Sequence, residues 1–426
     1  MFARTERKMK LKHARELTLT LCLGAACATA QAAAMTVDSM NGPVTQNEIQ
    51  SFVDFAQGLQ PAVSGAGEEW AQGNSGVDMK ALALVYDIAP RQALLDKMVS
   101  FCDTLLSQRN DILPAPAGRR VIWTGRVDPV WPNKPDISPI QTGGEQGDPV
   151  GHLGSCARQI LKTTAVYNQK VAGGDPFHFG ATYLQRAKTY LSEADKTVDQ
   201  HILKSLLNLS DGNHMYFAVN SPYQGGKPVP WNQQMMFDYG FLNLAQAHEL
   251  LKDDPARVKR YDQIVQANLD WFLQSGLTRY TDKAGRPAYN WAYAMPAITG
   301  EDSNHGSLDV PGFYRLYLSG RYGLAAKQIE PFGDTVFDVM RLGNRDYSGR
   351  VDGTSDNDSK HGGETNYLRN GFLVTALSRP DAYYAMMSDA GIQDGASTNA
   401  PEAYSNFLLV KSQRAEAASA KKKKQR

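Results

Sequence analysis

Residues 235–251, MMFDYGFLNLAQAHELL, decide the fold, because apolar side chains recur on every side of the helix that this stretch predicts. A helix that is apolar all round is buried on most of its surface. Residues 46–59 and 92–106 instead carry apolar residues on one face only, as does the stretch after Asp254-Pro255. Buried helices that alternate with one-faced helices predict an all-α fold of the (α/α) toroid type, with inner helices inside outer ones.

The segments between these helices carry further signals. Asp254-Pro255 and Asp175-Pro176 each predict a helix start, with Asp at the N-cap and Pro in the first turn. Only residues 120–124 and 215–219 predict strands, which are short and lie in connecting segments. The inner helices of a toroid point the same way, so we expect the polar segments before them to meet at one rim. Four segments qualify: residues 148–155, residues 228–234, the one with Asn304-His305 and the one with Tyr367.

Residues 1–32 have the pattern of an export signal: a basic start, a short apolar run and the small residues Ala30-Gln31-Ala32. The apolar run is too short to span a bilayer. We therefore expect residues 33–410 to form one toroidal catalytic domain that is periplasmic or secreted and not inserted in a membrane. Residues 411–426, which are rich in Ala and Lys, predict a disordered basic tail. The formal net charge of +1 argues against a nucleic-acid partner.

Two cysteines, Cys22 and Cys27, belong to the predicted signal, which leaves Cys102 and Cys156. In an oxidising compartment these two can form a disulfide between neighbouring helices. Two buried free thiols are the alternative, and the sequence leaves both open. Two cysteines are few for a structural zinc site.

Residues 300–309, GEDSNHGSLD, place a dense polar cluster directly before an apolar, aromatic run. That order predicts a loop that enters a buried helix, with Asn304 and His305 at its mouth. A carboxamide beside an imidazole suits a site that neutralises a carboxylate. The structural alternative is that Ser303 or Asn304 caps the helix and His305 is a core histidine.

A second polar cluster follows downstream, with the turn Asp352-Gly353-Thr354 and then Tyr367 before Asn370, Phe372 and Leu373. Together with Asn304-His305-Gly306-Ser307, this arrangement resembles the alginate lyase superfamily of polysaccharide lyases. The resemblance covers about the last third of the chain by motif. One position departs from the family pattern, because Lys360 and His361 stand near the place where the family often has Arg.

The resemblance implies β-elimination on a 4-linked polyuronate, an anionic polysaccharide of the mannuronan, alginate or glucuronan type. Asn304 and His305 would neutralise the uronate carboxylate. Tyr367 would remove the C5 proton and protonate O4 if both lie on one face of the sugar; otherwise His305 is the base and Tyr367 the acid. Lys360, His361 or Arg369 would supply a nearby cation. The mechanism requires no metal or other cofactor.

Several other residues are candidates for substrate binding, and each has an ordinary structural explanation as well. Loop aromatics can stack on the apolar faces of sugar rings, glutamines can bind hydroxyls, and Arg can grip a carboxylate through its planar fork. The candidates are Trp231 and Tyr293 for stacking, Gln233 and Gln234 for hydroxyls, Arg126 and Arg369 for carboxylates, and His152.

Two other functions remain open from the sequence. A glycoside hydrolase on the same toroid would need two carboxyl groups that flank the scissile bond. Acidic residues are available for that role: Glu301, Asp302, Asp238 and Glu364. A non-catalytic carbohydrate-binding protein is the third possibility. The chain contains no phosphate-binding loop, dinucleotide fingerprint or Gly-x-Ser-x-Gly elbow, which argues against those classes of enzyme.

Overall fold

The computed structural model describes residues 33–63, 74–208, 211–356 and 367–424. The predicted export signal lies outside these residues. The α-helices are α1 (Gln46–Gly58), α2 (Asn74–Ile88), α3 (Gln92–Ser107), α4 (Gly147–Lys162), α5 (Tyr183–Thr197), α6 (Trp231–Leu251), α7 (Pro255–Trp271), α8 (Ser303–Leu318), α9 (Ala326–Asp334), α10 (Tyr383–Asp389) and α11 (Pro401–Lys424). A 3-10 helix, Asn370–Leu377, lies between α9 and α10.

Six of these helices form a closed inner ring. Around the ring, α2 packs on α4, α4 on α6, α6 on α8, α8 on the 3-10 helix, the 3-10 helix on α11, and α11 again on α2. The remaining helices pack outside this ring: α1 against α3, α3 against α2 and α4, α5 against α4, α7 against α6, α9 against α8, and α10 against the 3-10 helix. This is the (α/α) toroid that the helix pattern predicts.

Side-chain contacts show that neighbouring inner helices run in the same direction. Between α2 and α4, Lys80 Nζ lies 2.8 Å from Asp148 Oδ2, and six residues later Tyr86 Oη lies 2.7 Å from Thr163 Oγ1. Between α4 and α6, the order is also kept, from the 3.2 Å contact of His152 with Tyr239 to the 2.9 Å contact of Arg158 with Asn243. The first turns of these helices therefore lie on the same rim.

Glycines allow α4 and α6 to approach closely. A Cβ atom on Gly147 would lie 2.3 Å from the backbone nitrogen of Phe237, and one on Gly151 would lie 2.2 Å from the ring of Tyr239. Helix α6 is buried along nearly its whole length, as its all-round apolar sequence predicts. These two helices therefore pack closely against each other within the inner ring.

The predicted helix starts are half confirmed. Asp254 caps α7 by accepting a hydrogen bond from the backbone of Arg257 at 2.9 Å. The prediction for Asp175 is wrong, because α5 begins at Tyr183 with Thr182 as its N-cap. Asp175 instead accepts hydrogen bonds from the backbone of a turn at residues 179–180 and pairs with the buried Arg186.

Short antiparallel strand pairs connect the helices: β1 (Met35–Thr36) pairs with β8 (Ser397–Thr398), β2 (Leu207–Asn208) with β3 (His214–Met215), β4 (Leu277–Thr281) with β5 (Pro287–Trp291), and β6 (Arg341–Gly343) with β7 (Asp346–Tyr347). Of the predicted strand at residues 120–124, only an isolated bridge at Ile122 is present. The β4–β5 hairpin was not predicted, although it leads directly into the candidate site.

Two predicted boundaries need correction. Residues 148–155 are not a loop but lie inside α4, which begins at Gly147. Helix α11 continues through the predicted tail to Lys424. Lys411, the first tail residue, is buried and lies 2.7 Å from both carboxylate oxygens of the buried Glu48. Its methylene chain and charge therefore belong to the core.

Cys102 and Cys156 are both buried free thiols without a disulfide between them, which is the second of the two alternatives. Among the helices that the structure describes, none combines the length and the apolar character needed to cross a membrane.

Candidate active site

The first turn of α8 is organised by Asp302. One carboxylate oxygen, Oδ1, accepts hydrogen bonds from the backbone nitrogens of Asn304 at 2.9 Å and His305 at 3.0 Å, which makes Asp302 the N-cap. The other oxygen, Oδ2, lies 2.6 Å from Nδ1 of His305. Burial acts to raise the pKa of Asp302, but the hydrogen bond and charge of His305 outweigh burial and lower it. Asp302 is therefore an ionised group that orients the imidazole.

His305 presents its other nitrogen to the rim. Its side chain is 24% exposed, whereas that of Asp302 is 7% exposed. Within the part of the chain that the structure describes, Nε2 has no hydrogen-bond partner. Asn304 is exposed beside it. An imidazole held at Nδ1 by a carboxylate has a fixed tautomer when neutral, which leaves Nε2 as a proton acceptor.

Glu301 and Asp309 form a buried acidic layer beneath this turn. Glu301 is 1% exposed and accepts a hydrogen bond from the backbone of Asp302 at 2.9 Å through Oε1. Asp309 is fully buried and accepts a hydrogen bond from Nε1 of Trp291 at 2.9 Å. Burial raises the pKa of Glu301 well above its usual range and that of Asp309 to about 7, and their mutual proximity adds to the shift of Glu301. Glu301 therefore favours its neutral acid at neutral pH.

The two sequence motifs meet at this turn. The backbone nitrogen of Ser303 donates to Gly349 at 2.7 Å, and that of Val351 donates to Glu301 at 3.0 Å, so the turn at residues 349–354 lies against the start of α8. From the later segment, Nε of Arg369 lies 3.4 Å from the hydroxyl of Ser303. Arg369 also lies over the ring of Tyr367, 5.4 Å from its centroid. Tyr367 is 54% exposed.

Tyr293 comes from the segment after β5 and lies against His305, with 4.6 Å between the ring centroids. It is 41% exposed, and its carbonyl accepts a hydrogen bond from the backbone of Trp231 at 3.0 Å, at the start of α6. Burial raises the pKa of the Tyr293 phenol, and nearby acidic groups add to that shift, among them Tyr223 and Glu145.

Glu145 was missed by sequence reasoning. It lies in a 3-10 turn, Gly144–Gln146, immediately before α4, and is 3% exposed. Its Oε1 accepts hydrogen bonds from Nε2 of Gln233 at 2.9 Å and from the hydroxyl of Tyr223 at 3.4 Å. The available signal was an acidic residue directly after Gly143-Gly144, at the start of an inner helix. Gln233, itself 3% exposed, is therefore hydrogen-bonded to Glu145, which lies near enough to Tyr293 to act on its pKa.

The structure corrects four of the predicted binding residues. Trp231 is fully buried, and its ring packs edge-on against Trp271 and Phe272, so no face is available for a sugar. Gln234 is buried and donates to the carbonyl of Val229 at 2.7 Å.

His152 and Arg126 complete this correction. His152 is fully buried within α4 and contacts Tyr239, one helical turn below the rim. Arg126 pairs with Asp128 at 2.9 Å, in the segment between α3 and α4, and within the described ranges no hydrogen bond or ion pair joins it to the residues around His305. Lys360 and His361 lie outside the described residues.

Ligand atoms of Glu301, Asp302 and His305 lie within 4.8 Å of one another at this turn, which is the spacing that a metal ion would need. An ion there would have to replace the short Asp302–His305 hydrogen bond and draw on Glu301, whose raised pKa favours the protonated acid. The donor set as arranged is better suited to holding a proton than a cation.

By sequence, no known protein family and no curated protein matches the chain. By structure, it is similar to a family 76 glycoside hydrolase (mannosidase) from Bacteroides thetaiotaomicron VPI-5482, with a TM-score of 0.40, 13% identity, and coverage of 74% of this chain and 70% of that one. It is also similar to a family 76 glycoside hydrolase from a bovine strain of the same species, with a TM-score of 0.43 and 12% identity. The match covers 84% of this chain and 55% of that one, so the chain spans about half of that protein.

A third similar structure is the unsaturated glucuronyl hydrolase from Bacillus sp. GL1, with a TM-score of 0.41, 10% identity, and coverage of 83% and 86% of the two chains. At these values the similarities carry no argument about activity. The toroid is established by the closed ring of helices, and the chemistry must be argued from the residues on its rim.

Proposed function

We propose that this protein is a polysaccharide lyase that cleaves a 4-linked polyuronate by β-elimination and leaves an unsaturated uronate end. The observation that carries the proposal is the geometry of His305: a buried carboxylate holds Nδ1 at 2.6 Å, while the side chain remains 24% exposed beside an exposed carboxamide. The fold is one that also supports polysaccharide hydrolysis, so the assignment rests on these side chains.

The first requirement of β-elimination is to make the C5 proton acidic. That proton becomes removable when the adjacent carboxylate loses its negative charge, so hydrogen-bond donors must face this group as charge develops. Asn304 supplies an exposed amide, and Arg369 brings a permanent cation to the same turn through its contact with Ser303. Its planar guanidinium is suited to a carboxylate. These two residues would neutralise the substrate carboxylate.

The second requirement is a base for the C5 proton and an acid for the leaving oxygen. With Asp302 on Nδ1, the neutral imidazole of His305 offers Nε2 as the base. A tyrosine would protonate O4, and the sequence motif assigns this to Tyr367. Lys360 and His361 remain candidates for substrate binding, as predicted from the sequence. The protein would act outside the cytoplasm if the predicted export signal functions.

The rival hydrolase is less well supported by this geometry. A glycoside hydrolase needs one carboxyl group that protonates the leaving oxygen and a second that attacks or activates water. Asp302 already uses both oxygens for the helix start and His305, and Glu301 lies below the surface. Asp238 is buried between α6 and α7, where it accepts a hydrogen bond from Asn268 at 2.9 Å. Glu364 lies outside the described residues.

One set of assays tests the reaction class. The protein is incubated with mannuronan, alginate and glucuronan, and the ultraviolet absorbance of a C4–C5 double bond conjugated to the carboxylate is followed together with new reducing ends. The lyase produces both signals in equal amounts. Reducing ends without absorbance would support the hydrolase, and binding with neither signal would support a carbohydrate-binding protein; either result overturns the proposal.

A further inference from the structure

A second tyrosine, Tyr293, lies against His305, although it is not part of the sequence motif that contains Tyr367. Their ring centroids are 4.6 Å apart with an angle of 57° between the planes. The backbone on both sides is fixed: the preceding strand β5 ends at Trp291, and the Tyr293 carbonyl is hydrogen-bonded to the first residue of α6. Two inner-helix starts, those of α6 and α8, therefore position this ring and the imidazole as one unit.

The surroundings of Tyr293 favour the protonated phenol. Burial raises its pKa, and Tyr223 and Glu145 act in the same direction. A phenol that keeps its proton at working pH is a donor rather than a base. The environment of His305 is complementary, since Asp302 occupies Nδ1 and leaves Nε2 to accept. Of these two adjacent rings, Tyr293 is therefore suited to donate a proton and His305 to accept one.

Tyr367 has different surroundings. It is 54% exposed, and the guanidinium of Arg369 lies over its ring at 5.4 Å from the centroid. The contacts of Tyr367 are with the group that would bind the substrate carboxylate. No contact between Tyr367 and His305 occurs among the described residues, whereas Tyr293 and His305 touch.

We propose that Tyr293 is the catalytic acid that protonates the leaving oxygen, with Tyr367 acting in substrate binding beside Arg369. This inference rests on the proposed lyase function. Nε2 of His305 takes the C5 proton, the electron pair of that C–H bond becomes the C4–C5 double bond, and the C4–O4 bond breaks. The departing O4 takes the phenolic proton of Tyr293. As the products leave, the imidazolium of His305 releases its proton to solvent and the phenolate of Tyr293 takes one up.

The test compares substrates that do and do not need a proton on the leaving group. Tyr293→Phe is assayed on the natural polyuronate and on a synthetic uronate that carries a nitrophenoxide at C4, which departs without protonation. We expect kcat/KM to fall about a hundredfold on the polymer, the usual contribution of a general acid, and less than about threefold on the synthetic substrate. For Tyr367→Phe, kcat/KM should instead fall by a similar factor on the polymer and on the synthetic substrate.

Tyr384→Phe is the matched control, because Tyr384 is also about half-exposed (46%) but lies on the outer helix α10. It should retain wild-type rates on both substrates, and thermal unfolding should show that all three variants are folded. An equal loss by Tyr293→Phe on both substrates, or a leaving-group dependence in Tyr367→Phe, would overturn the assignment while leaving the lyase intact. If the wild type formed no unsaturated product from either substrate, the proposed function itself would fail.

Discussion

Two histidine–aspartate pairs in this molecule have nearly the same bond geometry and opposite settings. In the first, Nδ1 of His201 lies 2.9 Å from Asp128, and its Nε2 lies 3.0 Å from the hydroxyl of Thr142. In the second, Nδ1 of His305 lies 2.6 Å from Asp302. The His201 side chain is 1% exposed and that of His305 is 24% exposed.

The comparison teaches that a structural histidine differs from a reactive one in the surroundings of Nε2. Both histidines have an aspartate at Nδ1, so the aspartate does not distinguish them. Thr142, His201 and Asp128 have the hydrogen-bond order of a nucleophile, base and carboxylate. Thr142, however, is buried and also accepts a hydrogen bond from Nε1 of Trp123 at 2.9 Å, so no substrate reaches its oxygen. This triad ties the segment between α3 and α4 to the π-helical turn Val198–Ile202 that follows α5.

The largest expected effect is on activity at the exposed pair. His305→Ala should lower kcat/KM on the polyuronate by at least about a hundredfold, because it removes the proposed base and its ordered tautomer. Its free energy of unfolding should fall by less than that of His201→Ala, since the side chain is partly exposed and water can replace it beside Asp302. Rates of double-bond formation and urea denaturation of the same preparation measure both quantities.

Glu301→Gln is the control for that change, one turn away in the same segment. Because the raised pKa of Glu301 already favours its neutral acid, an amide should replace it with only a small loss of activity. An inactive Glu301→Gln protein beside an active His305→Ala protein would contradict the lyase and favour a carboxylate-based mechanism.

The buried pair should give the reverse pattern. His201→Ala should lower the free energy of unfolding by about 2 kcal/mol, because it leaves hydrogen-bonding groups of Asp128 and Thr142 unpaired in the interior. The activity per folded molecule should remain close to that of the wild type. Urea denaturation, with kcat/KM measured well below the transition, checks the prediction. Loss of activity without loss of stability would remove the distinction between the two pairs.

Asn304→Ala should have an intermediate effect. A neutral amide donates weaker hydrogen bonds than a charged group, so we expect a loss of about tenfold in kcat/KM, less than for His305→Ala. The same absorbance assay measures it, and Asn304→Asp sharpens the result. A carboxylate at this position would repel the uronate, so its loss should exceed that of the alanine variant.

The smallest effect concerns a third histidine, His248, which pairs with Asp195 at 3.0 Å and Asp253 at 2.8 Å. Burial opposes protonation, but the two aspartates outweigh burial and raise the pKa of His248. Its stabilising contribution is therefore complete below the unfolded value of about 6.5 and is lost as pH rises through the folded pKa. The stability difference between wild type and His248→Gln should shrink above pH 7, by on the order of 1 kcal/mol.

Urea denaturation of both proteins at several pH values measures that difference. A gap that widens with pH would mean that His248 is neutral in the folded protein and acts only by packing.

The architecture could be predicted from the sequence because helix burial follows from the spacing of apolar residues alone. The buried character of α6 and the bounds of α1 and α3 were anticipated to within two residues. Asp175 misled because an Asp-Pro pair starts a turn as readily as a helix, and here a buried arginine, Arg186, recruits the carboxylate. The β4–β5 hairpin had no strong pattern, since its stability comes from packing against α9.

The site was only partly predictable. The sequence placed Asn304 and His305 at a helix start. It also predicted Tyr293 as a loop aromatic that stacks on sugar, without indicating that it lies beside His305. Trp231 had the same local signature as Tyr293, yet it faces the core while Tyr293 faces the rim. Nothing local distinguishes the two orientations. Glu145 was missed because its importance depends on Gln233, which is 88 positions away in the sequence.

The ion pair between Lys411 and Glu48 has a consequence for how the chain reaches this state. The two residues are 363 positions apart, and Lys411 is the cation whose nitrogen contacts the buried carboxylate. A charge buried without its partner is strongly unfavourable. We therefore expect Glu48 to take up its buried position only after residue 411 has been synthesised. The two ends of the toroid are joined by this ion pair, and a chain that ended at residue 410 would leave Glu48 buried without its cation.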